Sequence, residues 1–150
     1  MVVEVVIENA KGSDKKYELH NGKLVFDRNL ARGFKFIGDY GFVPNTLMPD
    51  GDALDVLVLV SKPGRPKSKV KVKPIALMEM RDDSSRDDKI IAVHSNSKKR
   101  SLGQKEKLEM KYFFEHYKNN HVRVLGFKTA EKVKKALKEA KIRFRIKNVL

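Results

Sequence analysis

A chain of 150 residues with 41% hydrophobic content is near the size of one domain, long enough to bury a core and too short for two independent ones. It contains no cysteine, which excludes disulfides, thiolate zinc sites and cysteine nucleophiles, so any metal must be held by oxygen or histidine. The 33 Lys and Arg against 19 Asp and Glu, a formal +14, make a field that concentrates anions without choosing among phosphates, nucleic acids and acidic membranes.

The chain opens on Val2 to Ile7, dense in β-branched residues and read as a strand. Glu4 and Glu8 interrupt this apolar stretch and no basic segment precedes it, so no secretory leader is expected and the chain is read as cytoplasmic. Tyr17–Leu19, Leu24–Phe26, Val56–Val60, Val70–Val72, Ile75–Met80 and Ile90–Val93 are further strand candidates. Breakers separate them at Lys11-Gly-Ser-Asp14, His20-Asn-Gly22, Pro49-Asp-Gly-Asp52 and Pro63-Gly-Arg-Pro66. Many short strands at this spacing predict a closed or partly closed antiparallel barrel. Ser95 to Lys107 is polar and reads as an exposed loop. Two helices follow, an α+β arrangement that is mainly β. From Lys105 to Tyr117, Leu108, Tyr112, Phe113 and Tyr117 share a stripe; from Ala130 to Ala140, Ala130, Val133, Ala136, Leu137 and Ala140 do so behind an N-cap at Thr129. Ile142-Arg-Phe-Arg-Ile146 alternates with period two, which predicts a short basic strand or a loose tail over 142–150. No run approaches the ~20 apolar residues of a membrane-spanning helix.

Chemistry concentrates where acids gather against this basic background. Asp50-Gly-Asp52-Ala-Leu-Asp55 runs directly into an apolar strand. In extended backbone, Asp50 and Asp52 project to one side, Gly51 lets the chain bend closely, and Asp55 enters from the strand end. Three carboxylates so close repel unless cations intervene, and hard oxygen ligands suit magnesium, manganese or calcium. An EF-hand does not fit, because Leu54, Asp55 and Ser61 occupy its liganding, glycine and final positions. A second acidic group, Asp82-Asp83-Ser-Ser-Arg-Asp87-Asp88, joins two strand candidates. By itself it is a solvated hairpin loop; beside the first, it can share metal ions of the kind that serve in-line phosphoryl displacement. Lys16, Arg28, Lys89 and Lys118 each adjoin an acidic or aromatic residue; any one of them is more often an exposed charge, so spacing alone does not nominate it, although a guanidinium can clamp phosphate and lysines can serve as point charges. His20, His94, His116 and His121 show no metal-ligand spacing. A nucleic-acid-binding module of OB type is the rival reading, since the charge suits it, but such a module has no use for three close aspartates.

Taken together, these segments resemble the soluble inorganic pyrophosphatases of family I. The residues concerned are Glu8, Lys16-Tyr-Glu18, Asp27-Arg28, Asp39-Tyr-Gly-Phe-Val-Pro-Asn-Thr46, Asp50-Gly-Asp-Ala-Leu-Asp-Val-Leu-Val58, Asp82-Asp83, Asp87-Asp-Lys89 and Phe113-Phe-Glu-His-Tyr-Lys118. The resemblance implies a five-stranded OB-like barrel with flanking helices, hydrolysis of pyrophosphate to two orthophosphates, and magnesium as cofactor, with manganese a substitute. It makes Asp50, Asp55 and Asp87 principal metal ligands, Asp82 a further one, and Asp52 the base that activates water. Lys16, Arg28, Tyr40, Lys89, Tyr117 and Lys118 would contact phosphate, with Glu8, Glu18 and Asp83 as outer carboxylates. A homo-oligomer, a hexamer in many relatives, is expected; no membrane partner is expected, and nucleic acid is bound non-specifically if at all. The chain departs from the family's usual pattern at Phe36, Ile37, Asp39, Asp83 and Asn120, which bears on substrate affinity more than on reaction type.

Overall fold

The computed structural model describes residues 1–119 and 121–150; Asn120 lies outside them. In chain order the strands are β1 (Val3–Asn9), β2 (Lys15–His20), β3 (Lys23–Asn29), β4 (Asp39–Phe42), β5 (Asp55–Val58), β6 (Lys69–Asp82), β7 (Ser85–Arg86) and β8 (Lys89–His94). Helix α1 (Gln104–His116), strand β9 (Val122–Thr129) and helix α2 (Ala130–Val149) complete the chain.

Five strands close a ring in the order β1, β4, β5, β8, β6 and back to β1. Strand β9 extends β6 outside the ring, and β2 and β3 form a separate hairpin. The barrel is not wholly antiparallel as expected, because β5 and β8 run parallel. A parallel pair needs a long crossover, and the chain from Leu59 to Asp88 supplies one by passing through β6. Strands β5 and β8 are also buried on both faces, so they read as continuous apolar runs rather than alternating ones. Val56, Val58, Ile90 and Ala92 face one core with Val133, Leu137 and Ala140 of α2. Leu57, Ile91 and Val93 face a second core with Met110, Phe113 and Phe114 of α1.

Several boundaries differ from the sequence reading. Val70–Val72 and Ile75–Met80 are one strand, because Pro74 is absorbed at a register shift against β8, where a missing N–H is tolerated. Strand β4 is short and contains Gly41, so it carries no periodic signal; the glycine is required because a Cβ there would overlap the Val6 carbonyl oxygen. Residues 142–146 are neither strand nor tail but the continuation of α2. Nothing after Gly126 breaks a helix, and half-buried Phe144 continues the helical spacing of Val133, Leu137 and Ala140. The loop expected over Ser95–Lys107 ends at Gly103, whose N–H donates to Glu106 Oε1 at 2.9 Å at the start of α1. Among the described residues no helix is long and apolar enough to cross a membrane.

Candidate active site

The aspartate loop is a turn, not the extended segment expected. Asp50 accepts the Asp52 N–H at 3.0 Å, Met48 N–H reaches the Asp52 carbonyl at 2.7 Å, and Gly51 has a φ of +93°, which favours glycine. Buried Thr46 ties the turn down: its hydroxyl donates to Val43 O at 2.6 Å and accepts the Leu54 N–H at 2.9 Å. Helix α2 braces the other end, with Leu47 N–H on Ala140 O at 3.0 Å and Arg143 Nη1 on Leu47 O at 3.3 Å. Folded this way, Asp52 rather than Asp50 enters a cleft of about 180 Å³ shared with Glu8, Lys16, Glu18, Tyr40 and Asp55. Larger recesses exist, but Asp50, Asp52, Asp55 and Asp87 line none of these.

Parallel pairing puts Asp55 at the head of β5 beside Lys89 at the head of β8. The Lys89 ammonium, 2% exposed, lies 2.6 Å from Asp55 Oδ2 and 2.8 Å from Asp87 Oδ1. Burial works against its charge, yet Asp55, then Tyr40 and Asp87, outweigh burial and hold it well above the usual lysine range. Tyr40 donates its hydroxyl to the same Asp55 oxygen at 3.0 Å. Burial first, and the Asp55 charge second, keep Tyr40 a neutral phenol. Burial also raises the pKa of Asp52, to which Asp55, Glu18 and Asp87 add their repulsion. Asp50 and Asp87 are raised too, burial again leading and Asp55 contributing to each. Glu8 is pushed up to about 7, chiefly by burial, although its carboxylate accepts the Leu19 N–H at 2.8 Å.

Next to Lys16, outside the cleft's own lining, a basic and aromatic group gathers. Lys16 and Arg28 are register partners across the β2–β3 hairpin. Lys16 Nζ pairs with Glu18 at 3.0 Å and Asp27 at 3.2 Å, and Arg28 Nη1 with Asp27 at 2.7 Å. Arg28 Nε and Nη2 are buried without a hydrogen-bond partner among the described residues. The guanidinium sits 5.6 Å from the Tyr117 ring centroid, and Lys118 Nζ, bonded to Asp82, sits 5.9 Å from it. Buried Tyr117 ends α1 and stacks on Phe113 at 4.9 Å.

Not every expected residue joins this group. Asp83 turns outward in the tight β6–β7 turn, where its carboxylate lies 3.4 Å from His121 Nδ1. Asp88 is a structural acid, accepting the Met80 N–H at 3.2 Å and Arg86 Nε at 2.8 Å. Phe36 is buried and stacks on Tyr40 at 5.4 Å, so its lack of a hydroxyl leaves a packed aromatic wall. Buried Asp39 accepts Lys11 N–H and Gly64 N–H, each at 2.9 Å, one on either oxygen. Asp27, which bridges Lys16 and Arg28, has no site role in the sequence reading; its only signal there is its place beside Arg28.

Among the described residues no three His, Asp or Glu side chains form a ready-made cation cage. The donor set nevertheless fits a hard divalent ion. Asp50, Asp55 and Asp87 offer hard carboxylate oxygens with Asp52 beside them, each of Asp50, Asp52 and Asp87 feels the charge of Asp55, and the cations acting on them are lysines.

Residues 5–145 match the family described as "Inorganic pyrophosphatase". The chain is 42% identical over 150 residues to soluble inorganic pyrophosphatase 2 of Chlamydomonas reinhardtii, covering 92% of this chain and 78% of that protein. It is 40% identical over 153 residues to the inorganic pyrophosphatase of Nanoarchaeum equitans, covering 93% and 96%. The solved inorganic pyrophosphatase of Helicobacter pylori superposes with a TM-score of 0.89 at 35% identity, covering 96% of this chain and 94% of that one. That of Thermus thermophilus does so at 0.89 and 33%, covering 96% and 91%.

Proposed function

The chain belongs to the inorganic pyrophosphatase family, and from that premise we propose that its cleft hydrolyses pyrophosphate to two orthophosphates with magnesium, Asp52 serving as the base. The carrying observation is the convergence of Asp52, Asp55, Glu8 and Glu18 on one cleft with Lys16 and Tyr40. Asp50, Asp55 and Asp87 are the residues to hold the metal, with Asp82 a further ligand. Bound magnesium supplies charge neutralisation and acidifies water.

Asp52 receives the proton of the attacking water. Burial, the leading cause of its raised pKa, makes it a stronger base than an ordinary aspartate. Among the described residues Arg28 Nε and Nη2 have no partner, which leaves them for phosphate oxygens, and Tyr117 lies against the guanidinium. Lys16, Lys89 and Lys118 bring point charges to oxygens on which negative charge grows as the bridging bond breaks. Tyr117 would donate a hydrogen bond to phosphate, and Tyr40, whose single O–H is given to Asp55 at 3.0 Å, would contact phosphate by turning that hydroxyl towards it. Glu8 and Glu18 position from outside: Glu18 orients Lys16, and Glu8 anchors the β2 backbone.

On the same reading, residues 1–150 form one catalytic domain of a cytoplasmic homo-oligomer. Exposed Tyr112 and His116, with ring centroids 4.6 Å apart on α1, suit a subunit contact. Orthophosphate release from pyrophosphate, compared with release from a nucleoside triphosphate, tests the assignment. Two orthophosphates per pyrophosphate with magnesium, and little from the nucleotide, are expected. Release from the nucleotide alone would reassign the substrate.

A further inference from the structure

Helix α2 carries eight Lys and Arg against two Glu, more cation than its own stability can use. Lys134, Lys138, Lys141 and Arg145 follow the helical repeat and form one exposed row beside the buried face of Val133, Leu137 and Ala140. Lys134 lies 3.4 Å from Glu131. Among the described residues Lys138, Lys141 and Arg145 take part in no ion pair, since the helix's other acid, Glu139, pairs with Lys135 and Arg143. Like charges three and four positions apart repel one another. Lys132, in the first turn, also meets the positive end of the helix dipole. A face selected only for solvation mixes its signs; beyond Glu131 in the first turn, the row from Lys138 to Arg145 carries no acid.

We infer that this row binds the phosphate backbone of nucleic acid without reading its sequence. From Lys134 to Arg145 the row is about 16 Å long at ~1.5 Å per residue, close to the axial span of about five phosphates on one strand. The one aromatic residue of α2, Phe144, is half-buried, so the helix offers no platform for stacking bases. An acidic membrane is the poorer occupant. It calls for a broad apolar face beside the cations, whereas α2 exposes only Ile142, Ile146 and, at its very end, Val149 among its large apolar side chains. None of the four row residues lines the catalytic cleft. Nucleotidyl transfer onto a nucleic-acid end is a class of reaction that releases pyrophosphate, so backbone binding would hold the cleft near its substrate's source. That consideration rests on the proposed activity; the binding itself does not.

Fluorescence anisotropy with two unrelated labelled duplexes, titrated across salt, tests the inference on the full chain. The combined variant Lys138→Gln, Lys141→Gln, Arg145→Gln is compared with a control, Lys98→Gln, Arg100→Gln, Lys105→Gln, which removes the same charge from exposed positions outside α2. The logarithmic salt slope falls by about 0.9 for each phosphate no longer neutralised, so the α2 variant should lose about 2.7 and the control variant less than about 1. Both duplexes should bind alike, and phosphate release should be unchanged in both variants. Equal losses in the two variants would reduce the effect to overall charge and overturn the inference. So would no duplex binding at low salt, a marked sequence preference, or row-dependent binding to anionic vesicles in place of duplex. Absence of phosphate release in every form would count against the proposed activity alone.

Discussion

Replacing Lys89 with Met removes one charge from the centre of the site while keeping most of the side chain's length, so little cavity results. What remains is Asp55 and Asp87, which in the native chain stand 2.6 Å and 2.8 Å from the same ammonium. Deleting one partner of a buried ion pair costs about 3–5 kcal/mol, because the surviving charge is left uncompensated. At ~2–4 °C per kcal/mol for a domain of this size, melting should fall by roughly 6–20 °C. The loss has a pH signature. Carboxylates left facing each other hold protons more tightly when folded than unfolded, so the variant's deficit is largest at neutral pH and shrinks as pH falls and they protonate. Magnesium should offset part of the deficit, since a divalent cation can take over the neutralising role. Circular-dichroism melts in chelator, at neutral and mildly acidic pH, followed by the same melts in magnesium, measure all three effects. A neutral-pH deficit below about 1 kcal/mol, within the range of an exposed ion pair, would refute the neutralising role of Lys89.

Glu8→Gln should flatten the dependence of stability on pH in chelator. The native carboxyl has its pKa raised to about 7 from 4.5, so the folded state binds more protons over that window and loses stability as pH rises through it; denaturant midpoints against pH check this. Asp39→Asn leaves one acceptor for the two N–H groups of Lys11 and Gly64. It should cost about 1–3 kcal/mol in urea unfolding while leaving turnover below the melting range near normal.

How far the site can be read from sequence differs residue by residue. Asp50-Gly-Asp52-Ala-Leu-Asp55 is legible because close carboxylates before an apolar strand have few uses. Which carboxylate enters the cleft is not, since that depends on the Asx turn at Asp50 and on the brace between Leu47 and α2, a contact between residues 47 and 143 that no local pattern encodes. Asp83 is indistinguishable from Asp82 in sequence, and only the tight β6–β7 turn sends one outward and the other to Lys118. The burial of Lys89 is hidden for the same reason: its two acids come from β5 and from the turn before β8, brought together by a parallel pairing that short-range alternation does not reveal. Strand periodicity likewise misreads residues 142–146, because five residues fit either period and the absence of a helix breaker carries the better information.

The base assignment is the central claim, and Asp52→Asn at saturating magnesium tests it most directly. The amide is nearly isosteric and can still accept hydrogen bonds, but it cannot take a proton from water. Turnover should fall by ~10²–10⁴-fold, while calorimetric magnesium affinity stays close to that of the parent chain; Asp55→Asn, run beside it, should lower both. Near-normal turnover in Asp52→Asn under those conditions would contradict the account.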